Sequence, residues 1–321
     1  MSAIASVLQP KALSAAEFSA LANVLPEVEW LANLTNEKTR RAYRYDALEF
    51  ASFVGVQSPE ALRTVGRAHV IAWRKSLEQR RLSAASIRRK LSALSSLFDY
   101  LCEKNAVAGN PVDGVKRPIA NANEGSTPAL GDVQARLLLD SPPQDTLKGA
   151  RDRAILATLL YHGLRREELC RLVVKDLQER EGILHFRVVG KRDKVRYVPV
   201  HPAAMRLVER YLVFSGHGLD VNGPLFRPVQ NRRSSEGLYR HLDPSSVYRN
   251  VVKHYGKRLG LNWNGLCVHS LRATAATNAL THEADIAKVQ EWLGHANVST
   301  TRLYDRRKTR PEESPTFRVR Y

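Results

Sequence analysis

Cysteine is scarce in this 321-residue chain: Cys102, Cys170 and Cys267 lie far apart and form no C-x-x-C pair. Disulfide frameworks and cysteine zinc sites need paired spacings, so neither is indicated, and we expect reduced, buried thiols. Long apolar runs are also missing, because none reaches the roughly eighteen residues that cross a bilayer. Residues 1–10 lack the basic and apolar segments of a signal peptide. These absences predict a protein of the cytoplasm, associated with the nucleoid.

Acidic residues are few beside the basic ones, with Asp+Glu 32 against Lys+Arg 50 and a net charge of +18. Residues 1–117 carry +6 of this charge and the remainder carries +12. A polyanionic partner is the natural interpretation, and we expect such a spread of charge if two domains bind one duplex. The alternative is a solvated basic surface without a partner.

Composition divides the chain into five segments. The mildly acidic lead-in 1–34 is too short for a domain, and a helical domain is predicted over 35–117. Residues 118–128, rich in Asn, Gly, Ser and Pro, are interpreted as a linker. A second domain follows over 129–304, and 305–321 form a tail. The 43% hydrophobic content is sufficient for two cores.

Basic residues follow the helix signals of the first domain. Thr35 or Asn36 can cap one helix, and Ser83 or Ser86 can cap another whose apolar residues recur every three or four positions. Between residues 79 and 98 there is no acid. We interpret the basic residues of both helices as DNA-binding, with a plain amphipathic surface as the alternative for the first helix: Arg40, Arg41, Arg44, Arg80, Arg81, Arg88, Arg89 and Lys90.

The second domain is predicted to be mostly helical with one small antiparallel sheet. Alternating apolar residues over 183–189 and 195–200 flank a basic turn and indicate a β-hairpin. A helix from Asp285 should stop at Gly294, and a new one should begin near Ser299 or Thr300. The predicted fold class is therefore mainly α.

Six side chains suited to a phosphate site stand out: Arg165, Lys191, His269, Arg272, His295 and Tyr304. A tyrosine phenol has a pKa of about 10, so its attack on a phosphodiester needs the phosphate charge neutralised and the proton removed. Arginines can neutralise the charge, and histidines can accept the proton or bond a non-bridging oxygen. Lys191 is favoured as the general acid that protonates the leaving 5′-oxygen, with Lys194 in the same turn as the alternative. Glu168 is suited to orienting a neighbouring arginine or histidine.

The motifs that hold these residues resemble those of the tyrosine recombinase (phage integrase) family. Gly163-Leu164-Arg165-Arg166-Glu167-Glu168-Leu169 resembles its first arginine box, and His269-x-x-Arg272, Leu293-Gly294-His295 and Tyr304 resemble its second. Ala273 and Asp305 depart from the residues common at those positions, which leaves the subgroup open. The lead-in is too short for an arm-binding domain, so a simple Xer- or Cre-like type is expected.

The resemblance implies site-specific recombination through a 3′-phosphotyrosine and a Holliday junction, for integration, excision or resolution of a mobile element or replicon. It implies a core-binding first domain, a catalytic second domain, and a homotetramer on double-stranded DNA with inverted-repeat core sites. The tail 305–321 would then be exchanged between protomers, with a frayed basic end as the alternative. No cofactor is expected, because the tyrosyl ester retains the energy of the broken bond. Topoisomerase-like relaxation and a non-catalytic DNA-binding relic are the alternative functions.

Overall fold

A computed structural model describes residues 26–119, 127–190, 193–230, 235–261 and 265–305. The chain divides into two compact units, Met1–Asn121 and Ala122–Tyr321. Lys191, most of the predicted linker and all of the tail except Asp305 lie outside the described residues.

The first unit is helical. Its helices are α1 (Pro26–Asn33), α2 (Glu37–Val54), α3 (Arg67–Gln79) and α4 (Ala84–Glu103), with a 3₁₀ turn at Pro59–Thr64. Asn36 caps α2 by accepting from the Thr39 amide, and Ser83 caps α4 by accepting from Ser86. Each cap satisfies an amide that the first helical turn leaves without a partner, which explains why these helices begin where they do.

The core of this unit extends into the segment predicted as a lead-in. Trp30 on α1 is 4% exposed, and its indole nitrogen donates to Ser96 Oγ at 3.1 Å. It packs with large buried side chains from α2, α3 and α4, among them Phe50, Trp73 and Phe98. We expected this domain to begin at residue 35, whereas α1 already contributes to its core.

The second unit is built mainly from helices, with three short strands. Its elements in chain order are α5 (Asp132–Asp140), α6 (Leu147–His162), α7 (Arg166–Arg171), β1 (Leu177–Arg180), β2 (Ile183–Val189), β3 (Val195–Pro199), α8 (Pro202–Ser215), α9 (244–258), α10 (Val268–Thr281), α11 (Ile286–Leu293) and α12 (Val298–Arg302). Helix α9 contains a π-helical section, Val247–Val252. The mainly helical fold class is confirmed. None of the helices in the described part of the chain is long and apolar enough to cross a membrane.

The predicted hairpin is confirmed as β2 and β3, and β1 adds a third antiparallel strand beside β2. The strand β1 was missed because Leu177–Arg180 contains only one apolar residue and so shows no alternation. Phe186 pairs with Val198 across the hairpin, and both side chains are fully buried. One face of the sheet therefore packs on the helices, and this packing sets the position of the end of β2 at Val189.

Candidate active site

Tyr304 lies just beyond α12 and points into the second unit. Its phenol oxygen is 3.0 Å from Nε2 of His269, and its ring stacks on that of His295 at 6.0 Å between centroids. The residue is 6% exposed, packed on alanines of α10 and on Leu293. Thr277 Oγ1 donates to its carbonyl at 3.1 Å. Three of the predicted site residues are thus brought together within one chain.

The connection to Tyr304 differs from the prediction in detail. Asn297 rather than Ser299 or Thr300 caps α12, and the helix ends at Arg302, so Tyr304 follows the helix instead of lying within it. The helix from Asp285 to Gly294 is confirmed, with Asp285 accepting from the amides of Ala287 and Lys288.

Arg272 lies behind this tyrosine and is 1% exposed. Its Nη1 donates to the Gly163 carbonyl at 2.5 Å and its Nη2 to the Leu293 carbonyl at 2.6 Å. Its Nε is buried with no hydrogen-bond partner among the residues that the structure describes. Burial, followed by the positive charge of Arg165, lowers the pKa of Arg272 to about 10, so the side chain stays charged at neutral pH.

Two glycines make the position of Arg272 possible. Gly163 ends α6 with φ 58° and Gly294 ends α11 with φ 65°, a conformation that other residues adopt at a cost. A Cβ at Gly163 would lie 2.8 Å from Leu293 Cδ2. The ends of α6 and α11 therefore meet closely, and their terminal carbonyls, which no helical amide satisfies, accept the buried guanidinium.

Arg165 occupies the N-cap position of α7. Its guanidinium donates to Glu168 Oε1 at 2.8 Å and to the Gly294 carbonyl at 3.2 Å, while its amide donates to Glu168 Oε2. Its side chain is 42% exposed, whereas Glu168 is 5% exposed. Arg165 therefore presents a positive charge to solvent beside Tyr304. The buried carboxylate of Glu168 holds both its backbone amide and its guanidinium in place.

Arg196 on β3 belongs to the same cluster and was missed from the sequence. Its two terminal nitrogens donate to the two oxygens of Glu168 at 3.0 and 2.8 Å, and its Nε donates to the Trp292 carbonyl at 3.2 Å. Burial would raise the pKa of Glu168, but the bonds and charges of Arg196 and Arg165 outweigh it and hold the pKa at about 2. The sequence did contain a signal for the inward position of Arg196. It lies two residues before the buried Val198, so the two side chains share one face of the strand.

The histidines are held neutral. Loss of hydration, then the charges of Arg272 and Arg165, lower the pKa of His269, and the same causes lower that of His295 to about 4. His295 Nδ1 lies 2.8 Å from Thr301 Oγ1, a second contact that the sequence did not reveal. Burial raises the pKa of Tyr304 even though both arginines lower it. A neutral imidazole beside a protonated phenol is the pairing that proton removal needs.

Only one of the two lysines expected to serve as the general acid lies in the described part of the chain. Lys191 lies outside the described residues, while its competitor Lys194 is exposed. Gly190 donates to the Lys194 carbonyl at 2.8 Å, which closes the turn of the hairpin. A Cβ at Gly190 would lie 3.7 Å from Glu168 Oε1, so the start of this turn passes directly over the arginine–carboxylate cluster.

The sequence model of the phage integrase family matches residues 130–310, and that of the phage integrase N-terminal SAM-like domain matches 29–105. The chain belongs to the phage integrase family. It is a tyrosine recombinase, an enzyme class of site-specific DNA recombination. The Arg165–Tyr304 constellation lies within the matched catalytic segment.

Curated relatives of this recombinase cover most of its length. It is 34% identical to the tyrosine recombinase XerC of Pelobacter propionicus, over 83% of both chains. It is 31% identical to XerD of Shewanella oneidensis, over 86% of this chain and 88% of the relative. In fold it is similar to a lambda integrase dimer bound to a core site, with a TM-score of 0.66 and 16% identity over 88% of this chain and 95% of that one.

The basic residues predicted to contact DNA in the first unit are distributed unevenly. Most are exposed on or beside α2, α3 and α4: Arg41, Arg44, Arg80, Arg81, Arg88 and Arg89. Arg40 is half-buried and donates through Nε and Nη2 to the Leu34 carbonyl, which closes the turn before α2. Two of the exposed arginines are also paired, Arg80 with Glu49 and Arg89 with Asp46.

The interpretation of Lys90 as a DNA-contact residue needs correction. Lys90 is 8% exposed, and its ammonium lies between Asp46, at 3.0 Å, and Glu49. Asp46 is itself 2% exposed, so the lysine neutralises a buried carboxylate between α2 and α4. The sequence carried a signal for this difference, because Lys90 lies three residues after Ile87 and four before Leu94 and so flanks the apolar face of α4. Arg88 and Arg89 point away from that face.

The recombinase has a further basic surface on α9, which was not predicted from the sequence. On α9, Arg249, Lys253 and Lys257 recur every four residues and are exposed, and residues 247–258 contain no acid. The spacing places the three on one helix face. The signal for this surface in the sequence is the four-residue period of the basic residues.

Proposed function

We propose that the six candidate residues catalyse DNA cleavage and rejoining, with Tyr304 as the nucleophile. The observation that carries this proposal is the Tyr304 hydroxyl, hydrogen-bonded to a neutral His269 and facing two arginines. Burial, followed by the charges of the two arginines, lowers the pKa values of both histidines. Arg272 keeps a buried N–H without a partner in the described part of the chain. A site short of negative charge is suited to an anion such as a phosphodiester.

Each residue then has one role. The Tyr304 oxygen attacks phosphorus, and its proton passes to His269 Nε2. Arg165 and Arg272 stabilise the charge on the non-bridging oxygens, and His295 hydrogen-bonds one of them. The bond from phosphorus to the 5′-oxygen breaks, and a hairpin lysine, Lys191 rather than Lys194, protonates the leaving oxygen. Attack by the 5′-hydroxyl of a second strand reverses these steps and frees the tyrosine.

Glu168 orients Arg165 without touching DNA in this scheme. The exposed arginines of the first unit and the exposed face of α9 would contact DNA phosphates. Such contacts contribute affinity but do not read the base sequence. We further propose inverted-repeat core sites and four protomers on two sites, in the cytoplasm and associated with the nucleoid. A structural relative, XerH, has been solved with a palindromic substrate, at 22% identity and a TM-score of 0.64 over 83% of this chain and 75% of that one.

The test is covalent trapping on DNA. Duplexes bound by the protein would first be selected from a randomised library, then rebuilt with a nick beside each candidate cleavage position. The cleaved fragment diffuses away from such a nick, so the protein–DNA adduct accumulates and survives denaturing electrophoresis. We expect an adduct with the natural protein and with Tyr239→Phe, an exposed tyrosine of the same unit, and none with Tyr304→Phe.

Two results would contradict the proposal. An adduct that persists in Tyr304→Phe would remove this residue as the nucleophile. An adduct that forms normally, followed by relaxation of a supercoiled plasmid without joining of two labelled sites, would favour a topoisomerase activity.

A further inference from the structure

We propose that Arg196 is a positioning residue for Arg165, and that it acts by fixing both of the groups to which Arg165 is hydrogen-bonded. The inference rests on the proposed role of Arg165 in neutralising the scissile phosphate. It adds a residue of β3, outside both arginine boxes, to the machinery that sets the rate of cleavage.

The geometry places Arg196 against each acceptor of Arg165. The guanidinium of Arg165 has two hydrogen-bond acceptors in the structure, Glu168 Oε1 and the Gly294 carbonyl. Arg196 holds both oxygens of Glu168 through a bidentate pair. Its stem lies beside Gly294, the residue that carries the second acceptor, since a Cβ at Gly294 would be 3.2 Å from Arg196 Cδ. Its Nε donates to the Trp292 carbonyl two residues earlier.

Charge distribution indicates why a second arginine is needed. Glu168 is 5% exposed and ionised, and a lone buried carboxylate beside Arg165 would compensate the charge that Arg165 should offer to a phosphate. With Arg196 also paired to Glu168, the three groups carry a net charge of one positive unit, and Arg165 is the exposed member: its side chain is 42% exposed against 16% for Arg196. Arg196 therefore leaves Arg165 both fixed and effectively cationic.

The experiment compares Arg196→Gln, Arg196→Lys, Arg165→Gln and the double Arg165→Gln/Arg196→Gln variant of the full chain. Cleavage would be measured in single turnovers on two duplexes of the selected site. One carries the natural phosphate, and the other carries a methylphosphonate, which removes the non-bridging charge at the scissile position. The matched control is Arg187→Gln, which breaks an ion pair to the mostly buried Asp176 in the same sheet but touches neither Glu168 nor Gly294.

We expect Arg196→Gln to slow cleavage of the phosphate substrate by roughly 10- to 100-fold, since small misplacements of a catalytic group cost about that much. Binding of DNA should be retained. The defect should shrink on the methylphosphonate in both single variants, and the double variant should be no slower than Arg165→Gln alone, because the two residues act as a unit. Arg196→Lys should be intermediate, since an ammonium cannot form the bidentate pair.

Two outcomes would overturn the inference while leaving the proposed function intact. In one, Arg196→Gln lowers the cleavage rate by the same factor on both substrates. In the other, the factors by which the two single variants lower the rate multiply in the double variant. Arg196→Lys supplies the same comparison if Arg196→Gln does not fold. By contrast, normal cleavage of the phosphate substrate by Arg165→Gln would refute the role of Arg165 in the proposed function, and the inference about Arg196 with it.

Discussion

The phenol oxygen of Tyr304 is hydrogen-bonded to Nε2 of His269 in the same chain, at 3.0 Å. Because His269 lies on α10 beside Arg272, the proposed nucleophile is held next to the proposed anion site by residues of its own chain. A neutral imidazole that accepts at Nε2 carries its own proton on Nδ1, so the tautomer suited to taking the phenol proton is set by this bond.

This pairing predicts the pH dependence of cleavage. The lowered pKa of His269 means that its basic form persists as the pH falls below 6.5, the ordinary histidine value, so cleavage should decline only below that point. His269→Gln should lower the rate by about 10²- to 10⁴-fold and abolish this acid limb. The measurement is adduct formation at subsaturating DNA between about pH 5 and 8, which reports the free enzyme. An unchanged limb in the variant would assign it to another group.

The close meeting of α6 and α11 predicts that Gly163 cannot be replaced. Gly163→Ala should lower the free energy of unfolding by about 2 kcal/mol or more, since it adds a clash with Leu293 to the strain of a positive φ. Cleavage should fall too, because the Gly163 carbonyl holds Arg272. Gly216→Ala is the control: Gly216 has φ 66° with nothing within 4 Å of a Cβ, so only the strain of about 1 kcal/mol applies. Equal losses in urea unfolding would refute the clash.

The burial of Lys90 separates it from its neighbours in DNA binding. Arg88→Ala and Lys253→Ala should each reduce the slope of log affinity against log salt by about 0.9, the value for one phosphate contact. Lys90→Ala should leave the slope unchanged but destabilise the protein by about 3 kcal/mol, because Asp46 loses a buried partner. Titrations at several salt concentrations, with urea unfolding in parallel, provide the comparison. A lower slope for Lys90→Ala would restore it to the interface.

His162 predicts a loss of stability in mild acid. Its Nε2 accepts from the His201 amide and its Nδ1 donates to the Thr158 carbonyl, both within the core. Burial lowers its pKa to about 4, so between pH 6.5 and 4 the unfolded chain binds a proton that the folded one excludes. Stability should therefore fall as the pH falls through this range, by up to about 3 kcal/mol from this residue.

The variant His162→Gln should flatten this dependence, and the exposed His254→Gln should not. Urea unfolding at pH 7 and at about pH 4.5 measures the difference. The same loss of stability in all three proteins would show that other groups cause it.

Most of the helix ends for which a cap was predicted followed from the sequence alone, because each depends on contacts within about three residues, and the start of α12 was the exception. Asn36, Ser83 and Asp285 cap helices as expected, and Gly163 and Gly294 end them. The types and order of the candidate site residues could also be predicted from the sequence. The hairpin followed from its alternation, while β1 carried too few apolar residues to be recognised.

Only the tertiary structure decided which charges face one another. Arg196 reaches Glu168 across 28 residues of sequence, and Arg272 reaches the Gly163 carbonyl across 109. Lys90 is buried against Asp46, whereas Arg88 two residues earlier is exposed. Pairing of this kind depends on packing between distant elements, so the sequence determined the chemistry of the site, and the fold determined which residues hold it in place.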